Sequence, residues 1–278
     1  MRNLQGRVAA VTGAAGGIGR ALVLELGRAG MDVALADVDE SGMQAVAAEL
    51  QKLGRRVVCV RTDVTQRPAL VHLLERTLAE LGSCHLMLNN AGVFHASTLL
   101  DSSPEQYKRV LDINVWGVIH GCQVFGAHFV RQGEGHLVNT ASTAGLFPMP
   151  GMSSYGLTKA AVVSFSQQLR WELAASGVGV TVLCPGVVRT RIWKAPGVGL
   201  EHANMEEMMN RAPTPEGLAR KVRRAIERNR ALVRYGPDSY VLSWLRHLPT
   251  WLLDPLGRFI ARRAFEVVRP AEQLPAKR

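Results

Sequence analysis

The chain is short of paired cysteines, of aromatics and of uninterrupted apolar runs, and each shortage removes a class of protein. Its four cysteines, Cys59, Cys84, Cys122 and Cys184, stand singly in apolar stretches, with neither CxxC spacing nor a pairing pattern. That excludes a disulfide scaffold, sets the expectation of no bound metal, and reads as buried thiols in a reducing compartment. The longest stretch without Asp, Glu, Lys or Arg, Gly135 to Thr158, is interrupted by Asn139, Thr140, Ser142, Thr143, Pro148 and Pro150. Such a run is a loop pattern and does not suit a lipid-facing helix. Residues Met1 to Arg7 carry no apolar signal region, so a cytoplasmic protein is expected.

Acid is scarce towards the other end. From Gly217 onward five Asp/Glu stand against fourteen Lys/Arg, so this segment carries nine of the ten net positive charges of the chain. No aromatic-interleaved binding motif accompanies these cations, and nucleic acid is not expected as a partner.

What the chain does have is 47% apolar residues in an alternating pattern. Strand-like runs at Arg7 to Thr12, Asp32 to Ala36, Val57 to Val60, Leu86 to Asn89, His136 to Thr140, Val178 to Leu183 and Leu232 to Tyr235 make seven. Between them lie helix-period stretches at Ile18 to Ala29, Ser41 to Leu53, Ala69 to Leu81, about Pro104 to Arg131 and about Ser153 to Ser176. Strands this continuously apolar are buried on both faces. The predicted class is α/β: a single Rossmann-type, doubly wound parallel seven-stranded sheet with helices on both faces and a C-terminal helical extension. Residues 1–235 form the expected dinucleotide-binding catalytic domain and 236–278 a basic amphipathic extension. The segment 189–215, with Pro196, Gly197, Gly199 and methionines 205, 208 and 209, breaks the alternation and is expected to be a lid.

The first strand runs into Gly13, Gly17 and Gly19 ahead of a helix-forming run. Glycines there let the chain turn tightly and let a pyrophosphate approach free N–H groups at a helix N-terminus. Asp37, ending the second strand, is placed to accept hydrogen bonds from the adenosine ribose hydroxyls. A 2′-phosphate there would set like charges about 4–5 Å apart at a cost of about 3–4 kcal/mol at an effective dielectric near 20. NAD is therefore expected over NADP. Asp63 ends the third strand and lies either near the adenine edge or as a turn cap. Tyr155 and Lys159 are one helical turn apart, so the ammonium can lower the cost of ionising the phenol, which then serves as acid or base for a carbinol/carbonyl pair.

In order, the chain carries Thr12-Gly13-Ala14-Ala15-Gly16-Gly17-Ile18-Gly19, Asp63-Val64, Asn89-Asn90-Ala91-Gly92, Asn114, Ser142, Tyr155-Gly156-Leu157-Thr158-Lys159 and Pro185-Gly186 with Thr190. Over about residues 6 to 235 it resembles the short-chain dehydrogenase/reductase family. The resemblance implies a catalytic group of Asn114, Ser142, Tyr155 and Lys159. It implies a nicotinamide cofactor held by Gly13, Ala15, Gly17, Ile18, Gly19, Asp37, Asp63, Val64, Asn90, Ala91, Gly92, Tyr155, Lys159, Pro185, Gly186, Val188 and Thr190. It also implies a homodimer or homotetramer paired through the helices around Asn114 and Tyr155. Ala141 and Thr158 stand where the family commonly has serines, and Ser83-Cys84-His85 where an acid is frequent.

Residues expected to border the substrate, Ser142, Leu146, Phe147, Met149, Met152, Val187, Ile192 and Trp193, are almost all apolar, which suits a steroid-, retinoid- or lipid-like secondary alcohol or ketone. His95 either touches substrate or is a loop or surface residue. In the extension, Tyr240, Val241, Trp244, Leu245 and Leu248, then Trp251, Leu252, Leu256, Phe259 and Ile260, recur at helical spacing among arginines. This pattern suits a peripheral membrane contact, a cover over the site or a subunit contact. The expected activity is hydride transfer between NAD(H) and an apolar alcohol or ketone. The alternatives are an NADP-dependent carbonyl reductase and a non-catalytic, nucleotide-binding peripheral membrane or interaction protein.

Overall fold

The computed structural model describes residues 3–190 and 204–268. Strand and helix alternate from the start: β1 (Val8–Thr12), α1 (Gly17–Arg28), β2 (Asp32–Asp37), α2 (Glu40–Lys52), β3 (Val57–Arg61), α3 (Arg67–Leu81) and β4 (Leu86–Asn89). Next come α4 (Pro104–Leu111), α5 (Gly117–Gln132), β5 (Gly135–Thr140), α6 (Ser153–Glu172) and β6 (Val178–Pro185). The chain then continues through α7 (Asn204–Arg211), α8 (Pro215–Glu227), β7 (Leu232–Tyr235), α9 (Pro237–Leu245) and α10 (Thr250–Val268).

The seven strands form one sheet in the order β3-β2-β1-β4-β5-β6-β7, every pairing parallel. This is the predicted doubly wound architecture. Every residue of β1, β4, β5 and β6 is buried, because helices cover both faces and leave no position for a polar alternation. On one face, Leu22 and Leu26 of α1 pack with Met43 and Leu50 of α2 and Leu218 and Ile226 of α8. On the other, Leu70 and Leu73 of α3 pack with Phe125 and Phe129 of α5 and Val162 of α6. Strand order reverses between β1 and β4, so a crevice opens at their carboxyl ends, where doubly wound sheets take their ligands.

The one predicted helix over about Pro104 to Arg131 is broken by a π turn at Asp112–Trp116, between α4 and α5. An insertion of this kind shifts the register of the helix by one residue and re-aims the side chains beyond it.

A polar ladder that the sequence pattern does not reveal crosses the second core. Asn89 Nδ2 donates to Asn139 Oδ1 at 2.9 Å, Asn139 Nδ2 donates to Ser166 Oγ at 3.0 Å, and Ser166 Oγ donates to the Val162 carbonyl at 2.6 Å. All three polar residues are buried, so β4, β5 and α6 are fixed to one another by bonds that have no water to replace them. Asn139→Ala removes both central contacts and leaves Ser166 Oγ without its donor. It is expected to destabilise the fold by about 1–3 kcal/mol, read as a lower urea midpoint at unchanged slope; an unchanged midpoint contradicts the assignment.

Candidate active site

The glycine turn follows from backbone crowding. Gly13 has φ +65°, and a Cβ there would lie 2.9 Å from the Ala91 Cα; a Cβ on Gly19 would lie 1.8 Å from the Gly13 carbonyl oxygen. Neither position accepts a side chain unless the backbone moves. Gly16 precedes α1 and offers no side-chain acceptor, while a Cβ built on it meets nothing within 4 Å, so the helix N-terminus opens outward uncapped. Free amides at the positive end of a helix dipole suit a pyrophosphate.

Around this turn the structure assembles the expected partners. Asp37 Oδ2 accepts from the Ala15 N–H at 2.9 Å, and its Oδ1 accepts from Val38 and Asp39 at 2.8 and 3.1 Å. Asn90 Nδ2 donates to the Thr12 and Gly13 carbonyls at 3.1 and 3.2 Å, while Thr12 Oγ1 accepts from the Asn90 and Ala91 N–H groups. The end of β4 is thereby sewn onto the end of β1. Thr190 faces Gly17, its Cγ2 3.6 Å from where a Cβ would be. Asp63 Oδ1 accepts from the Thr65 N–H and hydroxyl at 3.0 and 2.8 Å, so its visible role is to cap a turn. Val64 is buried beside it. An uncapped amide cradle with a carboxylate at the end of β2 fits a dinucleotide.

One step along the sheet, β5 delivers Ser142. Its Oγ accepts from the Ala144 N–H at 3.2 Å within the short 3₁₀ turn Thr143–Gly145, and lies 3.5 Å from the Pro185 carbonyl. That turn presses against α6, since a Cβ on Gly145 would come within 2.4 Å of the Lys159 carbonyl oxygen. Tyr155 lies in the first turn of α6 and is half-buried; the Phe94 ring meets it edge-on at 4.9 Å. Lys159 is buried, donates from Nζ to the Thr140 carbonyl at 2.9 Å, and sits 5.5 Å from the Tyr155 ring centroid.

Asn114, fully buried on the π turn, accepts from the Val93 N–H at 2.8 Å and donates to the Val93 carbonyl at 2.9 Å and to Thr158 Oγ1 at 3.2 Å. Thr158 Oγ1 in turn donates to the Tyr155 carbonyl at 2.7 Å. The bonds of the Thr140 carbonyl and the Thr158 hydroxyl escaped the sequence reading, although Thr158 was visible as a departure from the family pattern.

Desolvation dominates the electrostatics. Burial pushes the Tyr155 phenol up to about 12, against a hydrogen bond from the Ser142 hydroxyl that favours ionisation. Burial pushes the Lys159 ammonium down to about 8. The expected lowering of the phenol by Lys159 is not what the structure gives: burial sets the direction of both shifts.

Beside this cluster, Phe147 is buried and Met149 and Met152 are half-buried. Leu146 is buried in the core cluster on this side of the sheet and Val188 in the cluster on the other. Ile192 and Trp193 lie outside the described residues, as does the whole of 191–203 within the expected lid; the described part includes α7, and the Arg189 N–H donates to the Pro213 carbonyl at 3.0 Å. His95 is buried in its loop, with Nε2 3.4 Å from Ser102 Oγ. The first turn of α9 is anchored at the end of β6: Asp238 Oδ2 accepts from the Val187 N–H at 2.8 Å and Ser239 Oγ donates to the Cys184 carbonyl at 2.7 Å. Gly186 makes room for that carboxylate, which lies 2.0 Å from its ideal Cβ position.

Comparison with known proteins agrees with this geometry. A family model for short chain dehydrogenases matches residues 7–197. A probable oxidoreductase, EphD, of Mycobacterium tuberculosis is 36% identical over 244 residues; the match covers 84% of this chain but only 41% of EphD, so the chain spans about two fifths of that relative's length. A putative oxidoreductase, SadH, of the same organism is 32% identical over 255 residues, covering 89% of this chain and 92% of SadH. Among solved structures, a short chain dehydrogenase/reductase from Burkholderia phymatum in complex with NAD superposes with a TM-score of 0.81 at 32% identity, covering 92% of this chain and 97% of that one. A crevice at the strand-order reversal, the glycine turn and the Ser142, Tyr155 and Lys159 cluster stand where the family model matches, and the chain belongs to the short chain dehydrogenase family of oxidoreductases.

Proposed function

We propose that the protein interconverts an apolar secondary alcohol and its ketone using NAD(H), with Tyr155 as the general acid and base. The supporting observation is the convergence of Ser142, Tyr155, Lys159 and Asn114 in one desolvated cluster beside an uncapped glycine turn. A bound nicotinamide supplies the hydride acceptor in one direction and the hydride donor in the other. Tyr155 takes up or returns the proton at the carbinol oxygen, and the Ser142 hydroxyl donates to the same oxygen where charge develops. Lys159 orients the ribose and favours the phenolate, while Asn114 holds α6 through Thr158. Gly13, Ala15, Gly17, Ile18, Gly19, Asp63, Val64, Asn90, Ala91, Gly92, Pro185, Gly186, Val188 and Thr190 make up the rest of the cofactor site.

Asp37 favours NAD over NADP, because a 2′-phosphate would meet its carboxylate; the Burkholderia relative is described with NAD. The half-buried Met149 and Met152 with Phe147 favour an apolar substrate over a sugar. Residues 1–235 act as the catalytic domain and 236–278 as its extension, with 189–215 as lid. The exposed Trp116, Leu157 and Trp171, at the start of α5 and along α6, favour pairing into a homodimer or homotetramer. Four unpaired thiols suit the cytoplasm.

The decisive experiment is a spectrophotometric screen of alcohols and ketones of graded hydrophobicity with NAD(H) and NADP(H); no turnover of any of them refutes the reading. Tyr155→Phe is expected to lower kcat by about 10²–10⁴ while NAD(H) still binds, measured by steady-state rates and cofactor fluorescence. Asp37→Ala is expected to narrow the preference for NAD over NADP by roughly 100-fold, read from the two kcat/KM values.

A third expectation concerns pH. The basic form of Tyr155 is the minority species at every pH below about 12. Alcohol oxidation, which needs that form, therefore rises from neutral into alkaline pH, whereas ketone reduction, which needs the phenol, stays level over the same range. Initial rates in the two directions check the sign.

A further inference from the structure

Between α8, the edge strand β7 and α9 lies a cavity of about 350 Å³ lined by Lys221, Arg224, Arg228, Arg230, Arg234 and Tyr240. Five cationic residues thus line one hollow that has no acidic lining residue. The acid at the end of α8, Glu227, is taken up elsewhere: Arg223 pairs with it at 2.6 Å and with Glu25 at 2.8 Å. Among the described residues no ion pair is made by any of the five. Tyr240 organises the hollow. Its ring lies under the Lys221 ammonium at 4.8 Å and the Arg234 guanidinium at 5.3 Å, its hydroxyl accepts from Lys221, and Arg234 also donates to Ser243 Oγ at 3.1 Å. Like charges held this close repel, and an anion entering among them relieves that repulsion.

A second observation adjoins the cavity. On α9, Tyr240, Val241 and Trp244 are exposed, and on α10, which follows across Arg246–Pro249, so are Trp251, Leu252 and Phe259. At 100° per residue, Arg258 and Arg262 fall on the same sector of α10 as Trp251 and Phe259, and both arginines are exposed. A helix face that mixes tryptophan, phenylalanine and arginine matches the boundary between lipid headgroups and acyl chains.

We propose that α8, β7, α9 and α10 form a docking surface for an anionic bilayer, with lipid phosphates entering the Lys221–Arg234 cavity and the aromatic face of α9 and α10 resting in the interface. Charge decides against a second copy of the chain here, since an isologous contact would set the same five cations face to face. No helix among the described residues is long and apolar enough to cross a membrane, so the contact is peripheral. Neither the cations of the cavity nor the aromatic residues of the face are among the residues of the candidate active site, and the test does not depend on the redox reading.

The test is co-sedimentation of the full chain with vesicles of phosphatidylcholine, with and without phosphatidylglycerol. The chain is expected to pellet with the anionic vesicles, to stay in solution with the neutral ones, and to be released by salt. The triple variant R224E/R228E/R230E is expected to lower the partition coefficient roughly 100-fold, and W244S/W251S to weaken it at every salt concentration. An unchanged circular dichroism spectrum and thermal unfolding midpoint serve as the folding control, and R224Q/R228Q/R230Q replaces the charge reversal if that variant does not fold. Equal pelleting with both vesicles, or an unchanged partition of the folded triple variant, overturns the proposal. So does calorimetric binding of inorganic phosphate or duplex DNA without vesicle association.

Discussion

The site depends on one buried ammonium. Lys159 is enclosed at the junction of β5 and α6 with its Nζ on the Thr140 carbonyl, and among the described residues no carboxylate pairs with it. A lysine so placed is costly to keep charged, which is why its affinity for a proton falls to about 8 while that of its neighbour Tyr155 rises to about 12. Both shifts come from the same removal of water, and they oppose the charge separation that acid–base chemistry at a carbinol requires. Polar atoms brought into the crevice by ligands therefore stabilise the ionised forms more strongly here than they would at a wet surface. The burial of Lys159 against a half-buried Tyr155 makes the pair responsive to what binds beside it.

Holding that junction takes a continuous set of short-range constraints. Gly145 lets the 3₁₀ turn after Ser142 rest directly on the backbone of Lys159. The Asn89–Asn139–Ser166 ladder fixes α6 to β5 two helical turns beyond Lys159. At the other end, the π turn swings Asn114 inward so that its amide spans Val93 and Thr158, and Thr158 passes the contact to the carbonyl of Tyr155. A threonine where the family commonly has serine still supplies the hydroxyl, and its extra methyl stiffens χ1. Ser142, Tyr155 and Lys159 are thus placed by contacts that lie outside that trio.

Much of this was legible in the sequence, because the signals were local. Strands buried on both faces announce themselves by unbroken apolar runs, and all seven lie within two residues of where those runs put them. Gly13 and Gly19 declare a backbone contact that only glycine permits. Hidden features were those set by distant partners. Asn139 and Ser166 are 27 residues apart and neither residue type predicts the other. The π turn at Asp112–Trp116 falls inside one long helix-period stretch, where a shift of a single residue is too small a break for apolar spacing to declare. Spacing alone showed that Lys159 faces Tyr155, but the sign of the phenol shift depends on burial, which spacing does not contain.

The extension is not a loosely attached tail. Asp238 and Ser239 bind the backbone of Val187 and Cys184, so the first turn of α9 forms part of the wall that β6 raises beside Ser142. Gly186 lacks a side chain at the point where the Asp238 carboxylate crosses, and any larger residue would push α9 off. Tyr240, one turn further along the same helix, belongs to the basic cavity. A rigid helix of nine residues therefore joins the crevice to the charged outer surface. Two hydrogen bonds tie that helix to the backbone at Cys184 and Val187, so its place beside the crevice is set by β6 and by the residues that follow it.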